Sequence, residues 1–138
     1  MKVKDLMIGD LVIHLMIGDW VIRKSVPEEP MCVCDIKASA GIVYLDQDGC
    51  GVTEKIENIE PISLTKEILY KNGFEGDVYL WINVGDEKTL EYYPFEHRLS
   101  LWYGKEKNQE ILFKCHCFYV HEFQHALKMC GIEKEIVL

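Results

Sequence analysis

The chain is 138 residues long, 49% apolar and 28% charged, a balance that supports one compact body or two small subdomains and argues against disorder. Its 15 Lys and Arg against 23 Asp and Glu leave a net charge of −8 with no basic tract, so nucleic-acid binding is disfavoured by the average field. No leader-like apolar run opens the chain and no stretch approaches the ~18 apolar residues of a membrane span. We therefore expect a cytoplasmic protein with no membrane partner, its six cysteines held as thiols.

The first feature in chain order is a tandem copy. Leu6-Met7-Ile8-Gly9-Asp10-Leu11-Val12-Ile13-His14 is followed by Leu15-Met16-Ile17-Gly18-Asp19-Trp20-Val21-Ile22-Arg23, and the two differ at two of nine positions. A unit this short is no solenoid repeat. It reads as a duplicated strand-initiating segment, and either copy can supply the strand. Alternating apolar residues then predict strands near 20–24, 31–38, 41–45 and 51–56, separated by Pro27-Glu28-Glu29-Pro30, Ser39-Ala40-Gly41 and Asp46-Gln47-Asp48-Gly49. Four or five short strands with tight turns suggest a small SH3-like β-barrel over residues 1–64, closed by Ile59-Glu60-Pro61-Ile62. Asp46, Asp48 and Gly49 faintly resemble a calcium loop, but lack its flanking helices and read as a β-turn.

Residues 65–138 read as an α+β half, an antiparallel sheet with two helices. Thr65 caps a helix over 66–71 that Asn72-Gly73 ends. Strands follow near 78–84, 89–93, 97–103 and 110–118, then a helix over 119–129 stopped by Gly131, with a terminal strand at 135–138.

That last helix carries His121-Glu122-Phe123-Gln124-His125, the HExxH string. Residues four apart share a helix face, so His121 and His125 can bind one zinc with Glu122 as general base of a hydrolase. Phe123, Gln124, Ala126 and Leu127 are uncharged, as such helices require. Against it, the extended HExxHxxGxxH pattern needs glycine where Lys128 stands and histidine where Gly131 stands. A third ligand would have to come from His116, His97 or Glu133. The helical projection gathers Tyr119, Val120, Phe123, Ala126, Leu127 and Cys130 on one apolar face. It turns His121, His125 and Lys128 toward water, so the plainer reading is a solvated polar face.

Cys115-His116-Cys117 offers a second metal option, because cysteines two apart on a strand share a face. With His121 and His125 they have the composition of a structural Cys2His2 zinc site. Their spacing suits strand thiols packed in a core better. Cys32 and Cys34 repeat the pattern as a strand interior, and without a C-x-x-C pair thioredoxin-like redox chemistry has no sequence support. Trp81, Trp102, Tyr92, Tyr93, Phe95 and Tyr103 concentrate aromatic rings, enough for a sheet core and also for a recognition surface.

Residues 15–21, 59–65, 68–75 and 119–127 together resemble a group of short uncharacterised proteins of gut Bacteroidetes, their phages and mobile elements. The likeness spans most of the chain and implies no activity. It implies that the place of His125 is often not histidine in the group, and that the Met-Ile-Gly-Asp segment is usually single. The expectation is a non-enzymatic phage or mobile-element-type binding module without a cofactor, taking a protein or small-molecule ligand. The alternative is a minimal zinc hydrolase built on His121, Glu122 and His125.

Overall fold

The computed structural model describes residues 4–8, 11–105 and 107–138. They form a mainly antiparallel β protein with two helices, divided into two compact units at Ile62 and Ser63. No helix among the described residues is long and apolar enough to cross a membrane.

In the first unit the two copies of the duplicated segment do different things. The first copy supplies β1 (Lys4–Ile8) and most of β2 (Leu11–Leu15), which among the described residues pair with each other as a two-stranded sheet; its Gly9-Asp10 lies outside the described residues. The second supplies β3 (Trp20–Arg23), which joins β4 (Val26–Lys37), β5 (Ile42–Gln47), β6 (Cys50–Lys55) and β7 (Ile59–Pro61) in a sheet of order β6-β5-β4-β3-β7. Gly18 is what starts β3. At φ +97 it occupies the third position of a turn closed by the Asp19 amide on Met16 O, a conformation that side chains disfavour. The buried Asp19 carboxylate accepts the Met16 amide at 2.8 Å.

Pairing then fixes which residues face inward. Val21 lies opposite Met31 and Val33 opposite Leu45, and these four with Leu15, Val43, Ile56 and Ile59 make the buried cluster. Each such side chain contributes about 1.5–3 kcal/mol when fully removed from water. The thiols of β4 are not in it: Cys34 is the extra residue of a bulge between Val33 and Asp35 and is exposed, its Sγ donating to Tyr44 O. The expected strand interior at Cys34 is thus corrected by a register break. Asp48 (φ +51) and Gly49 (φ +86) form the two-residue turn between β5 and β6, the mirror-type turn that matches strand twist. A 3-10 turn over Ile56–Asn58 precedes β7, which pairs with β3. Among the described residues β7 does not pair with the other edge strand, β6, so the sheet is open and barrel closure is not seen.

The second unit begins with α1 (Lys66–Lys71), capped by Thr65 Oγ1 accepting the Ile68 amide. The sheet has order β12-β11-β10-β9-β8, built from β8 (Glu75–Gly76), β9 (Leu80–Gly85), β10 (Lys88–Tyr93), β11 (Arg98–Tyr103) and β12 (Glu110–His116). Alternation with cross-strand register puts Leu80, Leu90, Tyr92, Leu99 and Leu101 on one buried face. Leu69 of α1 and Val120, Phe123, Ala126 and Leu127 of α2 (Val120–Met129) are buried as well, and Phe74 meets Phe123 edge-on at 5.9 Å. A strand expected at 135–138 does not form. Instead the Asn72 amide takes the place of a neighbouring strand, accepting the Val137 amide and donating to Val137 O, both at 2.8 Å.

Candidate functional site

The HExxH string lies on α2 as its periodicity predicts. Tyr119 is extended (φ −126, ψ 155) at the N-cap, so the chain turns from strand to helix there. Such a start leaves amides without helical acceptors. Glu122, three residues on, supplies one: its Oε1 accepts the Phe118 amide at 2.9 Å and the Tyr119 amide at 3.0 Å. This is the glutamate half of a capping box. The carboxylate that a hydrolase would aim at a metal-bound water is directed back onto its own helix start.

The two histidines are not the solvated pair that the projection suggests. His121 is only 3% exposed and its ring lies parallel to that of Tyr119, centroids 5.8 Å apart. The projection treats Tyr119 as helical and sets it on the apolar face opposite His121, but Tyr119 is the extended N-cap, and from there its ring lies beside that of His121. His125 is half-buried, edge-on to His121 at 5.6 Å. Two imidazoles sharing one tetrahedral zinc at ordinary bond lengths would have centroids about 5 Å apart, so the pair keeps a compatible spacing.

Two of the three candidates for a third ligand are engaged elsewhere. His97 stacks on Phe118 at 4.5 Å with Nδ1 3.4 Å from the Tyr92 hydroxyl, and His116 lies parallel to the same Phe118 ring at 6.3 Å. Glu133 is exposed beyond the helix end. Among the described residues no group of three or more His, Cys, Asp or Glu side chains is placed to hold a metal ion.

Cys115 and Cys117 are brought together, with Sγ atoms 3.6 Å apart at the end of β12. Cys117 is fully buried and Cys115 half-buried. The hydrogen bond between them holds the Cys115 thiol below its ordinary range; the same bond, then burial, push Cys117 up.

The other face of the second sheet carries a cluster that the sequence names only in part. Trp81 lies opposite Glu91, and Tyr93 opposite Arg98. Tyr79 stacks on Tyr93 at 5.5 Å and the Arg98 guanidinium sits 4.6 Å over the same ring. Tyr93 donates its hydroxyl to Glu91 Oε2 at 2.7 Å, and Arg98 pairs with Glu96 at 3.0 Å. Burial first, then the bond to Glu91, push the Tyr93 hydroxyl up to about 12. Tyr79 and Trp81 remain 43% and 39% exposed. Tyr79 and Arg98 are the members that sequence reasoning missed; two-residue alternation from Trp81 and the cross-strand partner of Tyr93 are the signals that point to them. Tyr92 belongs to the opposite, buried face and donates its hydroxyl to Cys117 O at 2.8 Å. Compared with family models, curated proteins and solved structures, the chain gives no match.

Proposed function

We propose that this chain is a non-enzymatic binding module, of the kind carried by phages and mobile elements, that engages a protein or small-molecule ligand through the aromatic face of its second sheet. The observation that carries this reading is the ladder of Tyr79, Tyr93 and Arg98 beside the half-exposed Trp81. Rings already fixed by stacking and by the Glu91 hydrogen bond lose little freedom when a ligand lands on them, where an unfixed side chain would cost about 0.5–1.5 kcal/mol to order. Tryptophan, tyrosine and arginine are also the residues on which interface energy concentrates.

The first unit we read as SH3-like. Its strand order and the 3-10 turn before its last strand support that topology. The zinc-hydrolase alternative retains the spacing of His121 and His125 in its favour, while the double engagement of Glu122 by backbone amides weighs against it.

The test is a selection of random displayed peptides on the immobilised full chain. Selected ligands should bind Trp81→Ala and Tyr93→Ala about tenfold or more weaker, near 1.4 kcal/mol, with both variants unfolding as the wild type does. Enrichment of no ligand, or ligands indifferent to both substitutions, would remove the binding reading. One zinc per chain on untagged protein, lost in His125→Ala, with peptide hydrolysis abolished in Glu122→Gln, would install the hydrolase in its place.

A further inference from the structure

We propose that Cys115 and Cys117 form a reactive dithiol that exchanges with low-molecular-weight disulfides and closes reversibly into an intramolecular disulfide. The carrying observation is the 3.6 Å separation of two sulfurs with unequal access, one half-buried and one fully buried. Residues two apart on an extended strand point the same way, and here the pair sits where β12 ends, so Cys117 lies beyond the last ladder residue, His116. The sulfurs must approach to about 2.05 Å to bond. Side-chain rotation and adjustment of the peptide between them have to supply that movement. A bond closed over so short a span is strained, which makes it easily reduced.

The division of labour follows from the environment. Either sulfur can donate in the bond between them, and its effect is to favour the thiolate at Cys115 and the thiol at Cys117. The Glu122 carboxylate opposes ionisation of both, and Cys130 adds to the resistance at Cys117. Cys115 is thus the attacking sulfur and Cys117 the resolving one. In the first step the Cys115 thiolate attacks one sulfur of an external disulfide R–S–S–R; a Cys115–S–R bond forms and RS⁻ leaves. In the second, Cys117 gives its proton to solvent and attacks Cys115 Sγ, and the second RS⁻ leaves. Two protein thiols are oxidised and one external disulfide is reduced to two thiols.

The experiment uses the reduced full chain with oxidised glutathione, followed by intact mass and peptide mapping. The wild type should lose two hydrogens into a 115–117 link without a lasting glutathione adduct, and free glutathione should reverse it. Cys117→Ser should accumulate the glutathione adduct on Cys115. Cys115→Ser should form neither product, and Cys130→Ser should behave as the wild type. The Cys115 thiol should react about tenfold or more faster than the exposed single thiol of Cys34. Should Cys117→Ser fail to fold, phenylarsine oxide titrated into wild type and Cys115→Ser provides the second measurement, since a trivalent arsenical bridges two adjacent thiols. One equivalent bridging Cys115 and Cys117 in the wild type, absent in the variant, supports the dithiol. A lasting Cys115 adduct in the wild type, a link to Cys130 instead of Cys117, reactivity no greater than that of Cys34, or no bridging by the arsenical overturns the proposal.

Discussion

Replacing Glu122 with alanine separates its role as a helix cap from any catalytic role. The substitution removes the acceptor of two amide hydrogen bonds, 2.9 and 3.0 Å long, at the start of α2. Hydrogen bonds to charged groups are worth about 1.5–3 kcal/mol each when buried, while loss of a capping residue costs about 0.5–2 kcal/mol. Glu122 is half-buried, and water can reach part of what the side chain vacates, so the cost should be about 1–2 kcal/mol. Glu122→Gln keeps an acceptor at the same place and loses only the favourable charge at a helix N-terminus, about 0.3–1 kcal/mol. Both are read by urea denaturation in a Trp20→Phe background, where fluorescence comes from Trp81 and Trp102 of the second unit alone. With a slope near 1 kcal/mol/M for so small a unit, the alanine variant should unfold about 1–2 M earlier and the glutamine variant about 0.3–1 M earlier. Equal midpoints for wild type and Glu122→Ala would refute the capping argument, and so would a glutamine variant as unstable as the alanine one.

Alkaline pH should destabilise the second unit through Tyr92. Burial first, then the charges of Cys117 and Glu122, push its hydroxyl from 10.0 up to about 12, and at 2% exposure the group is sealed from water. The folded protein holds this proton where the unfolded chain releases it, so stability is intact below pH ~10 and falls by about 2–3 kcal/mol as pH rises to ~12. Tyr92→Phe should flatten that slope, and a slope unchanged in the variant would refute the assignment. Asn72→Ala should free the C-terminal segment. It removes both bonds to Val137 and the one to Ile68 O, at about 1–3 kcal/mol for buried polar partners left unpaired. Amide exchange at Val137 should quicken at least about tenfold, and protection equal to the wild type would count against the Asn72 clamp.

Local chemistry made the order of elements readable. Thr65 caps α1, and Asp48-Gly49 turns β5 into β6, because those residues satisfy backbone groups or adopt positive φ within a few positions. The errors lie where a distant group decides. Cys34 alternates with Cys32 in sequence, but a bulge set by pairing with β5 places it outside. Residues 135–138 have strand composition, but Val137 is held by the Asn72 side chain 65 positions away. The Tyr79, Tyr93 and Arg98 ladder depends on cross-strand register: alternation from Trp81 reaches Tyr79, but only the pairing of β10 with β11 sets Arg98 against Tyr93.

The same distinction dissolves much of the apparent meaning of HExxH. A chain that leaves β12 at His116 and enters a helix from an extended Tyr119 needs an acceptor three residues later, and glutamate is what such a position favours. The first histidine then falls beside the N-cap ring, where a flat side chain stacks well, and it does so at 5.8 Å. Four residues on, the next position of that helix flank is His125, edge-on to the first. Each fixed letter of the string thus has a local structural partner, and Glu122 holds two amides of its own helix start on Oε1. In the opposite direction, Cys-His-Cys, which carries no redox signature in sequence, delivers two sulfurs to within 3.6 Å because strand geometry aligns them. Geometry, rather than spelling, is what brings these two sulfurs together just ahead of α2.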